Sequence, residues 1–189
     1  MAEQPEVPST VTPEQFFAEL LPAGYQAQKE QGIGVPQNFT MQYEITGDGG
    51  GSWHVSIASG EMTVKKGREG ANLTMTISYL NWQDAVLSRN GADIALLLPQ
   101  GRPGRPDTSD RAKMVKGTMA LELAREGDPF TMEVCFSGAD APRTVMKAKI
   151  ADYIAIGQGK LNGQEAFMTG RVRVEGDMAF MMQIAALTA

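Results

Sequence analysis

The C-terminal stretch 164–187 constrains the fold of this sequence most strongly, because it ends in a long run without charge. Between Met178 and Leu187 the only strongly polar side chain is Gln183, so a helix over this run is apolar almost all the way round. A helix of that kind has to be covered by other parts of the protein on more than one side. Asp177 stands directly before the run, and its carboxylate can accept the free backbone N–H groups of a helix start. The sequence therefore predicts a buried helix over residues 178–187.

A short strand is predicted just before this helix. Residues 171–175 alternate between charged and apolar side chains, with Val172 and Val174 on one face. A period of two residues is typical of a half-buried strand, and the charged side chains then share the opposite face. Arg171 and Arg173 are therefore expected to face solvent or a partner.

The region upstream contains two series of segments in which apolar and polar residues alternate. The first series covers 39–45, 53–57, 62–64 and 73–77, and the second covers 119–123, 130–136 and 146–150. Segments with one apolar and one polar face, joined by short turns, are typical of an antiparallel sheet that is covered on one side. A predicted helix follows each series and can provide that cover. The pattern predicts an α+β fold with a mostly antiparallel sheet and helices packed on one face.

The chain of 189 residues is long enough for one domain with a sizeable core. Residues 1–11 are polar and rich in proline, which predicts a disordered arm and leaves 12–189 as a single domain. Residues 99–111 combine proline, glycine and charge without periodicity, and they predict a mobile loop. Because both series run from strands into a helix, we interpret the halves 38–98 and 112–189 as an internal near-duplication. The sequence leaves open whether these halves form one enlarged sheet or two lobes.

Composition and charge argue against several classes of function. The net charge of −5 argues against a nucleic-acid-binding protein. A single cysteine rules out an internal disulfide and fits a reducing compartment, and one histidine with one cysteine cannot form a zinc site of the usual kind. Residues 1–30 lack the pattern of a signal peptide, and no stretch is long and apolar enough to span a bilayer. We therefore expect a cytoplasmic protein without a metal or cofactor.

Two residues with catalytic potential, His54 and Cys135, are predicted to be structural. Both alternate with apolar neighbours and therefore lie on the polar face of the sheet. Neither belongs to a motif that supplies a nucleophile, a base and an orienting acid, so we expect a solvent-facing histidine and a structural thiol. The glycine-rich run 47–51 precedes a strand rather than a helix, which favours a hairpin turn over a phosphate loop. No catalytic residue is predicted.

The residues around the C-terminal strand and helix carry a family resemblance. The matching positions are 159–162, 164, 166–168, 170–174 and 176–178. They resemble the C-terminal signature of the sterol carrier protein type 2 family, and the match is dense from about residue 152 to residue 187. The resemblance implies a twisted sheet with helices on one face. It also implies a tunnel between the sheet and the C-terminal helix that binds a fatty acyl chain, acyl-CoA or a sterol.

The large apolar residues expected in this tunnel form the candidate ligand site. They are Trp82, Phe136, Phe167, Met168, Met178, Met181 and Met182. Methionine is flexible and polarizable, so a methionine-rich wall suits apolar ligands of variable shape. We expect a non-catalytic carrier of a hydrophobic small molecule. In this hypothesis the three methionines of the C-terminal helix line the acyl site, and Phe167 and Met168 close it.

A basic cluster raises the question of membrane contact. Its members are Arg102, Arg105, Arg111, Lys113 and Lys116. The default interpretation is a solvated loop, since Asp107 and Asp110 dilute the positive charge. The sharper hypothesis is a transient contact with an anionic head group or a membrane surface during lipid exchange.

The sequence leaves two other classes of function open. The domain can be a non-catalytic structural or dimerisation module with a filled core, whose polar sheet face is buried against a second copy in a homodimer. It can instead be an enzyme that uses His54 or Cys135. Bound lipid distinguishes the carrier from the structural module, and an activity that is unchanged by His54→Ala would argue against His54 as a catalytic residue.

Overall fold

The computed structural model describes residues 10–31, 35–97 and 107–188, without the side chains of Ala95 and Thr188. The predicted arm over 1–11 lies outside these residues except for its last two positions, of which Val11 is buried in the core. The predicted loop over 99–111 also lies mostly outside them. Its final residues begin a short helix, Ser109–Met114, so that part of the loop prediction is wrong.

The described chain forms helices and an eight-stranded sheet. The strands are β1 (Phe39–Thr46), β2 (Gly51–Ala58), β3 (Glu61–Lys66), β4 (Leu73–Ser78), β5 (Gly117–Ala124), β6 (Phe130–Phe136), β7 (Arg143–Lys149) and β8 (Val172–Gly176). The α-helices are α1 (Pro13–Gln15), α2 (Leu21–Glu30), α3 (Tyr79–Val86), α4 (Ser109–Met114), α5 (Ile150–Gly157), α6 (Gly163–Met168) and α7 (Met178–Thr188). A π-helical turn, Phe16–Leu20, joins α1 to α2, and a 3₁₀ turn, Ile94–Leu96, follows α3. The predicted strands and the C-terminal helix are therefore present.

The sheet is mixed, which corrects the prediction of a mostly antiparallel sheet. Its strand order is β3-β2-β1-β4-β6-β5-β7-β8. Five of the neighbouring pairs are antiparallel, whereas β1–β4 and β5–β7 are parallel. The alternation of apolar and polar residues reports which face of a strand is buried and contains no information about the direction of its neighbour. The parallel pairs come from connections that carry the chain over an already paired strand, and such connections are not visible in the periodicity.

The two predicted halves join into one sheet at the antiparallel pair β4–β6. Each half begins with a hairpin, and its last strand before a helix, β4 or β7, lies parallel to the first strand of that hairpin. The first half has one more strand, β3, which pairs with β2 before the chain reaches β4. The hairpin β1–β2 closes through the glycine-rich run, as predicted. The structure thus decides for one enlarged sheet over two lobes. The origin of the halves by duplication stays a prediction.

The apolar face of the sheet is covered by helices. The helices α2 and α3 contact the strands of the first half, and α5, α6 and α7 contact those of the second half. Phe17 shows how the cover is built, because its ring stacks on Trp53 at 4.8 Å between centroids and lies 5.0 Å from Tyr43. The core is a continuous apolar layer between sheet and helices.

The polar face is crossed by the two connections that precede the parallel strands. The first crossover, residues 67–72, is held by Gln42, whose amide donates to the Gly67 carbonyl at 3.0 Å and accepts from the Glu69 N–H at 3.2 Å. The second crossover, residues 137–142, receives a 2.9 Å hydrogen bond from the Thr118 hydroxyl to the Ala139 carbonyl. These crossovers explain why polar side chains such as Gln42 and Thr118 are buried on this face.

His54 lies on the polar face as predicted, but the prediction that it faces solvent is wrong. Its side chain is buried, and its Nε2 lies 3.8 Å from the Glu69 carboxylate of the first crossover. Its Nδ1 has no hydrogen-bond partner among the described residues. A strand position gives the face of a residue, whereas burial on that face depends on the distant segment that crosses it.

Candidate functional site

The C-terminal helix α7 packs on the apolar face where β7 and β8 end the sheet. Asp177 caps it as predicted, because its Oδ1 accepts the Phe180 N–H at 2.7 Å. Phe180 is fully buried and meets the Phe136 ring edge-on, with 6.1 Å between centroids. Gly117 lies directly against Phe180, since a Cβ built there would come within 2.8 Å of the ring. The helix is therefore anchored by one aromatic side chain in a fitted site.

The expectation that α7 is covered on more than one side is wrong for the described residues. Phe180 and Ile184 are buried, but Met178 is 43% exposed and Met182 is 69% exposed. Because residues three and four apart share a face of a helix, Phe180, Ile184 and the half-buried Leu187 point to the sheet while Met178 and Met182 point away from it. An uncharged helix thus carries one packed face and one open methionine face.

The other predicted site residues do not gather around α7. Trp82 is buried between Phe16 and Tyr79, each 5.7 Å away between ring centroids, and belongs to the core of the first half. Phe167 and Met168 end the short helix α6, with 45% and 77% of their surfaces exposed. Of the seven residues, Phe136 contacts the core side of α7, and Met181 lies half-buried on its flank. In the conformation described, the seven residues are not gathered around one space, and their roles toward a ligand stay predictions.

Several residues of this layer were not among the predicted site residues. Phe180 and Ile184 form its buried helical side, and Met146 and Val174 lie half-buried on the apolar face of β7 and β8. The spacing of Phe180 and Ile184 was a usable signal, because they stand four residues apart on one side of the helix. The buried face was difficult to identify from the sequence, because the helix has no charged face opposite to it.

Arg171 has a partner within the chain, which refines the expectation that it faces solvent or a partner. Its guanidinium forms an ion pair with Asp152 of α5, and the Nε–Oδ2 distance is 3.3 Å. The hydrogen bond from Arg171 lowers the pKa of Asp152 below its ordinary value, even though partial burial of the carboxyl opposes the shift. This pair ties the start of β8 to α5, so that the strand before α7 is held in place.

Tyr153 of α5 packs against the apolar core between sheet and helices. Burial raises the pKa of its phenol to about 12. Between pH 10 and that value the unfolded chain loses the phenolic proton while the folded chain keeps it, so the free energy of unfolding should fall as the pH rises. For one group the slope reaches about 1.4 kcal/mol per pH unit. Urea unfolding at alkaline pH should show a shallower decline for Tyr153→Phe than for the unmodified chain. Equal slopes would mean that the phenol is not buried in the folded protein.

A small hollow lies at the other end of the sheet, between α2 and the strands β1 to β3. It is lined by Leu21, Tyr25, Gln28, Val35, Pro36, Met41, Ile57 and Met62. The Tyr25 hydroxyl closes one side by donating to the Pro36 carbonyl at 2.9 Å. The hollow has a volume of about 30 Å³, which is room for about two water molecules. Pockets for small organic ligands are about ten times larger or more, so this hollow does not hold a lipid in the conformation described.

The two residues with catalytic potential are far apart. His54 and Cys135 lie in one cross-strand row, with Gln42 and Thr74 between them. Three strand spacings separate them by about 14 Å, so they cannot act as a base and its nucleophile. Cys135 is half-buried under the second crossover, and its Sγ lies 3.5 Å from the Ala139 carbonyl.

No group of three or more histidine, cysteine, aspartate or glutamate side chains within residues 10–31, 35–97 and 107–188 could hold a metal ion. Of the predicted basic cluster, Arg102 and Arg105 lie outside the described residues. Arg111 and Lys116 are exposed, and Lys113 pairs with Asp110 at 2.7 Å. Of the helices in the described part of the chain, none combines the length and apolarity that crossing a membrane requires.

Comparison with known proteins places the second half of the chain in a family. The family model described as SCP-2 sterol transfer family matches residues 94–189, just over half of the chain. This range contains β5 to β8 and the helix α7. A search of curated proteins found no match.

Solved structures resemble the chain only loosely. The sterol carrier protein domain 2 of Helicoverpa armigera is 22% identical over 43% of this chain and 73% of its own, with a TM-score of 0.36. A double mutant of the sec-alkyl sulfatase PisA1 is 12% identical over 95% of this chain and 16% of its own, with a TM-score of 0.31. Sterol Carrier Protein 2 from Yarrowia lipolytica in the apo form is 12% identical over 92% of this chain and 81% of its own, with a TM-score of 0.20. At these TM-scores the similarities establish no detail of this structure.

Proposed function

Because this chain belongs to the SCP-2 sterol transfer family, we propose that it binds a hydrophobic lipid between its sheet and its C-terminal helix. The ligand in this proposal is a fatty acyl chain, the acyl part of acyl-CoA or a sterol. The observation that carries the proposal is the construction of α7, an uncharged helix that is packed on one face only. Such a helix can move away from the sheet without burying or stranding a charge.

The binding energy of a hydrocarbon depends on how much of it is buried. An acyl chain of about sixteen carbons gains roughly 12 kcal/mol if each buried CH₂ contributes about 0.8 kcal/mol. Association and ordering cost about 4–15 kcal/mol, so micromolar binding is reached only if most of the chain is buried. The hollow under α2 is too small for such a ligand, so in this proposal the ligand displaces α7 or its neighbours.

The predicted site residues take different parts in this proposal. Phe136 and Met181 form the wall, because they lie on the core side and the flank of α7. Met178 and Met182 and, on α6, Phe167 and Met168 are exposed, and they contact the ligand as it enters or leaves. Flexible methionine side chains can adapt to a ligand of changing position. A transient membrane contact of this surface, assisted by the exposed Arg111 and Lys116, is part of the proposal.

We propose that the protein performs no chemistry of its own. The separation of His54 from Cys135 by about 14 Å supports this, because nucleophilic catalysis needs the base within hydrogen-bond reach of the nucleophile. A cytoplasmic location is also proposed, supported by the single cysteine, which makes the fold independent of disulfides.

Matched tryptophan substitutions test where the lipid binds. Met181 on α7 and Met62 at the hollow under α2 are both half-buried methionines. A tryptophan at 181 should fill space that the ligand needs and weaken binding of a fluorescent fatty acid by about tenfold or more, whereas Met62→Trp should leave the affinity unchanged. Both variants are titrated after delipidation, with circular dichroism as the control for folding.

The outcomes distinguish the competing sites and functions. If Met62→Trp weakens binding and Met181→Trp does not, the ligand binds under α2 and the proposed location is wrong. If no acyl, acyl-CoA or sterol probe binds saturably, the carrier function is wrong. The alternative is then the structural module with a filled core. Extraction and mass spectrometry of lipid that co-purifies with the protein provides an independent measurement.

A further inference from the structure

The strand β8 ends the sheet and has an open edge. It pairs with β7 on one side, and no strand among the described residues pairs with it on the other. An open edge presents unpaired N–H and C=O groups, which form a template for another strand. The edge of β8 can therefore accept a further strand.

The backbone of β8 shows which groups point outward. The Glu175 carbonyl accepts the Thr144 hydroxyl at 3.1 Å, and the Asp177 N–H donates to the Arg143 carbonyl at 3.0 Å. Residues 175 and 177 therefore direct their backbone groups toward β7. Because successive residues of a strand direct these groups to opposite sides, Val172 and Val174 direct theirs to the open edge.

The side chains of β8 leave one charge without a partner. Arg173 lies directly opposite Lys147 of β7, and like charges in that position repel each other. Lys147 itself is neutralised by Glu175 at 2.9 Å and Glu122 at 3.4 Å, and the Glu175 hydrogen bond raises the pKa of Lys147. Arg173 is exposed and has no carboxylate partner in the described part of the chain.

The opposite edge of the sheet differs in this respect. Glu61 of β3 lies 4.0 Å from Lys29, and Lys65 lies 3.8 Å from Glu69. Lys66 forms an ion pair with Glu14 of α1. The charges on β3 are thus satisfied within the chain. Only β8 combines an open backbone edge with an unmatched charge among the described strands at the ends of the sheet.

We propose that a second copy of this chain pairs with β8 through its own β8, antiparallel and centred on Val174. In this arrangement the outward N–H and C=O of Val174 bond to those of Val174 in the second copy. Arg173 of each copy then lies opposite Glu175 of the other. The arrangement is isologous, because one two-fold axis passes through the centre of the strand pair.

The charge pattern selects this register over its neighbours. Shifting the centre by one residue toward the N-terminus places Arg173 opposite Arg173 of the second copy, and shifting it the other way places Glu175 opposite Glu175. Like charges directly opposite each other destabilise a strand pair. In the register centred on Val174 both cross-strand charge pairs are attractive, and they fall at non-hydrogen-bonded positions, where opposing side chains approach most closely. The short strand gives a small interface, so the dimer is weak and depends on concentration.

Charge reversal tests the dimer. The oligomeric state of the full chain is measured by sedimentation velocity over a dilution series. Arg173→Glu and Glu175→Arg should each raise the dimer dissociation constant by about tenfold or more, since every reversal turns two attractive pairs into repulsive ones. The double variant R173E/E175R restores opposite charges across the axis and should dimerise like the unmodified chain. Arg89→Glu, a reversal at an exposed position after α3, is the matched control and should have no effect.

Each outcome decides the proposal. A chain that is monomeric at every concentration overturns it, and so does a dimer that persists in both single variants. Loss of dimer in the single variants without recovery in the double variant shows that the register is wrong. Circular dichroism on all variants excludes unfolding as the cause. The lipid-binding titration is independent of this test, because the proposed lipid site uses none of the exchanged charges.

Discussion

Replacing Arg125 with alanine should lower the free energy of unfolding by about 3–5 kcal/mol. The side chain of Arg125 is only 8% exposed, and its guanidinium is shared by three partners. Its Nη1 lies 2.8 Å from the Asp84 carboxylate, its Nη2 donates to Asn81 at 3.0 Å, and its Nε donates to the Asp128 carbonyl at 2.8 Å. The guanidinium also lies 5.7 Å from the Phe130 ring centroid, over a buried aromatic face.

The large expected effect comes from the groups that remain after the substitution. Asp84 is only 16% exposed, so removal of Arg125 leaves a nearly buried carboxylate without an opposite charge, held only by the 3.2 Å hydrogen bond from the Asn90 amide. The Asn81 side chain keeps its hydrogen bond to Thr131, but its Oδ1 loses the hydrogen bond that Arg125 donates. Because Asp84 and Asn81 belong to α3 while Arg125 follows β5, the cluster joins the two halves of the chain. Its loss should therefore destabilise the whole domain.

Urea unfolding of three variants checks this result. Arg125→Lys keeps the charge but not the planar fork, so we expect an intermediate loss of stability. Arg68→Ala is the control, because Arg68 also pairs with a carboxylate, Glu44, but is itself 77% exposed. Glu44 is nearly buried like Asp84, but it keeps hydrogen bonds from the Ser52 hydroxyl at 2.6 Å and the Gln42 amide at 3.1 Å. We therefore expect a loss of about 0–1 kcal/mol, as for an exposed pair. If Arg125→Ala costs no more than Arg68→Ala, the buried cluster does not hold the halves together.

Replacing Gly117 with alanine should also be strongly destabilising, by about 2–6 kcal/mol in total. Gly117 has φ at +136°, a conformation that costs about 1–3 kcal/mol for other residues. An added Cβ would lie 2.5 Å from the Pro142 carbonyl oxygen and 2.8 Å from the Phe180 ring. Crowding of this kind in a packed core costs about 1–3 kcal/mol more, because backbone or ring has to shift.

The clash with Phe180 gives this substitution a local consequence. The helix α7 is anchored by that ring, so the added methyl group should push α7 away from β5 and β6. Hydrogen exchange in residues 178–188 should then be faster than in the unmodified chain, by more than the global loss of stability explains.

Gly127→Ala is the matched control for this experiment. Gly127 also has positive φ, +79°, but nothing lies within 4 Å of an added Cβ. It should therefore show the backbone cost alone, of about 1–2 kcal/mol. Equal losses for Gly117→Ala and Gly127→Ala, measured by urea unfolding, would mean that the crowding at Phe180 is absent.

The C-terminal segment shows how far the sequence leads. The uncharged run, the aspartate before it and the alternation at Val172 and Val174 correctly predict β8, the Asp177 cap and α7. The expectation of a buried helix was wrong. An apolar sequence shows that burial of the helix would be favourable, but the other elements of the fold decide how much of it is buried. In the structure the sheet covers the Phe180 face, and Met178 and Met182 are exposed.

The strands show the same limit. Alternation placed His54, Cys135 and the apolar strand residues on the correct faces, since each side chain's face follows from the period of its own strand. The burial of His54 and the parallel pairs β1–β4 and β5–β7 were not predicted. Both follow from crossovers that bring residues 67–72 and 137–142 over strands that are distant in sequence.

The sequence by itself determined the strands, their apolar faces, the C-terminal helix and the family, because these depend on neighbouring residues and on short motifs. Only the tertiary structure decided that the two halves share one mixed sheet and that Arg125 joins them. It also decided that β8 is the last strand of the sheet and that the charge of its Arg173 has no partner among the described residues. Which strands pair depends on which distant segments of the chain meet in the fold. The alternation of residues within one strand gives no information about that.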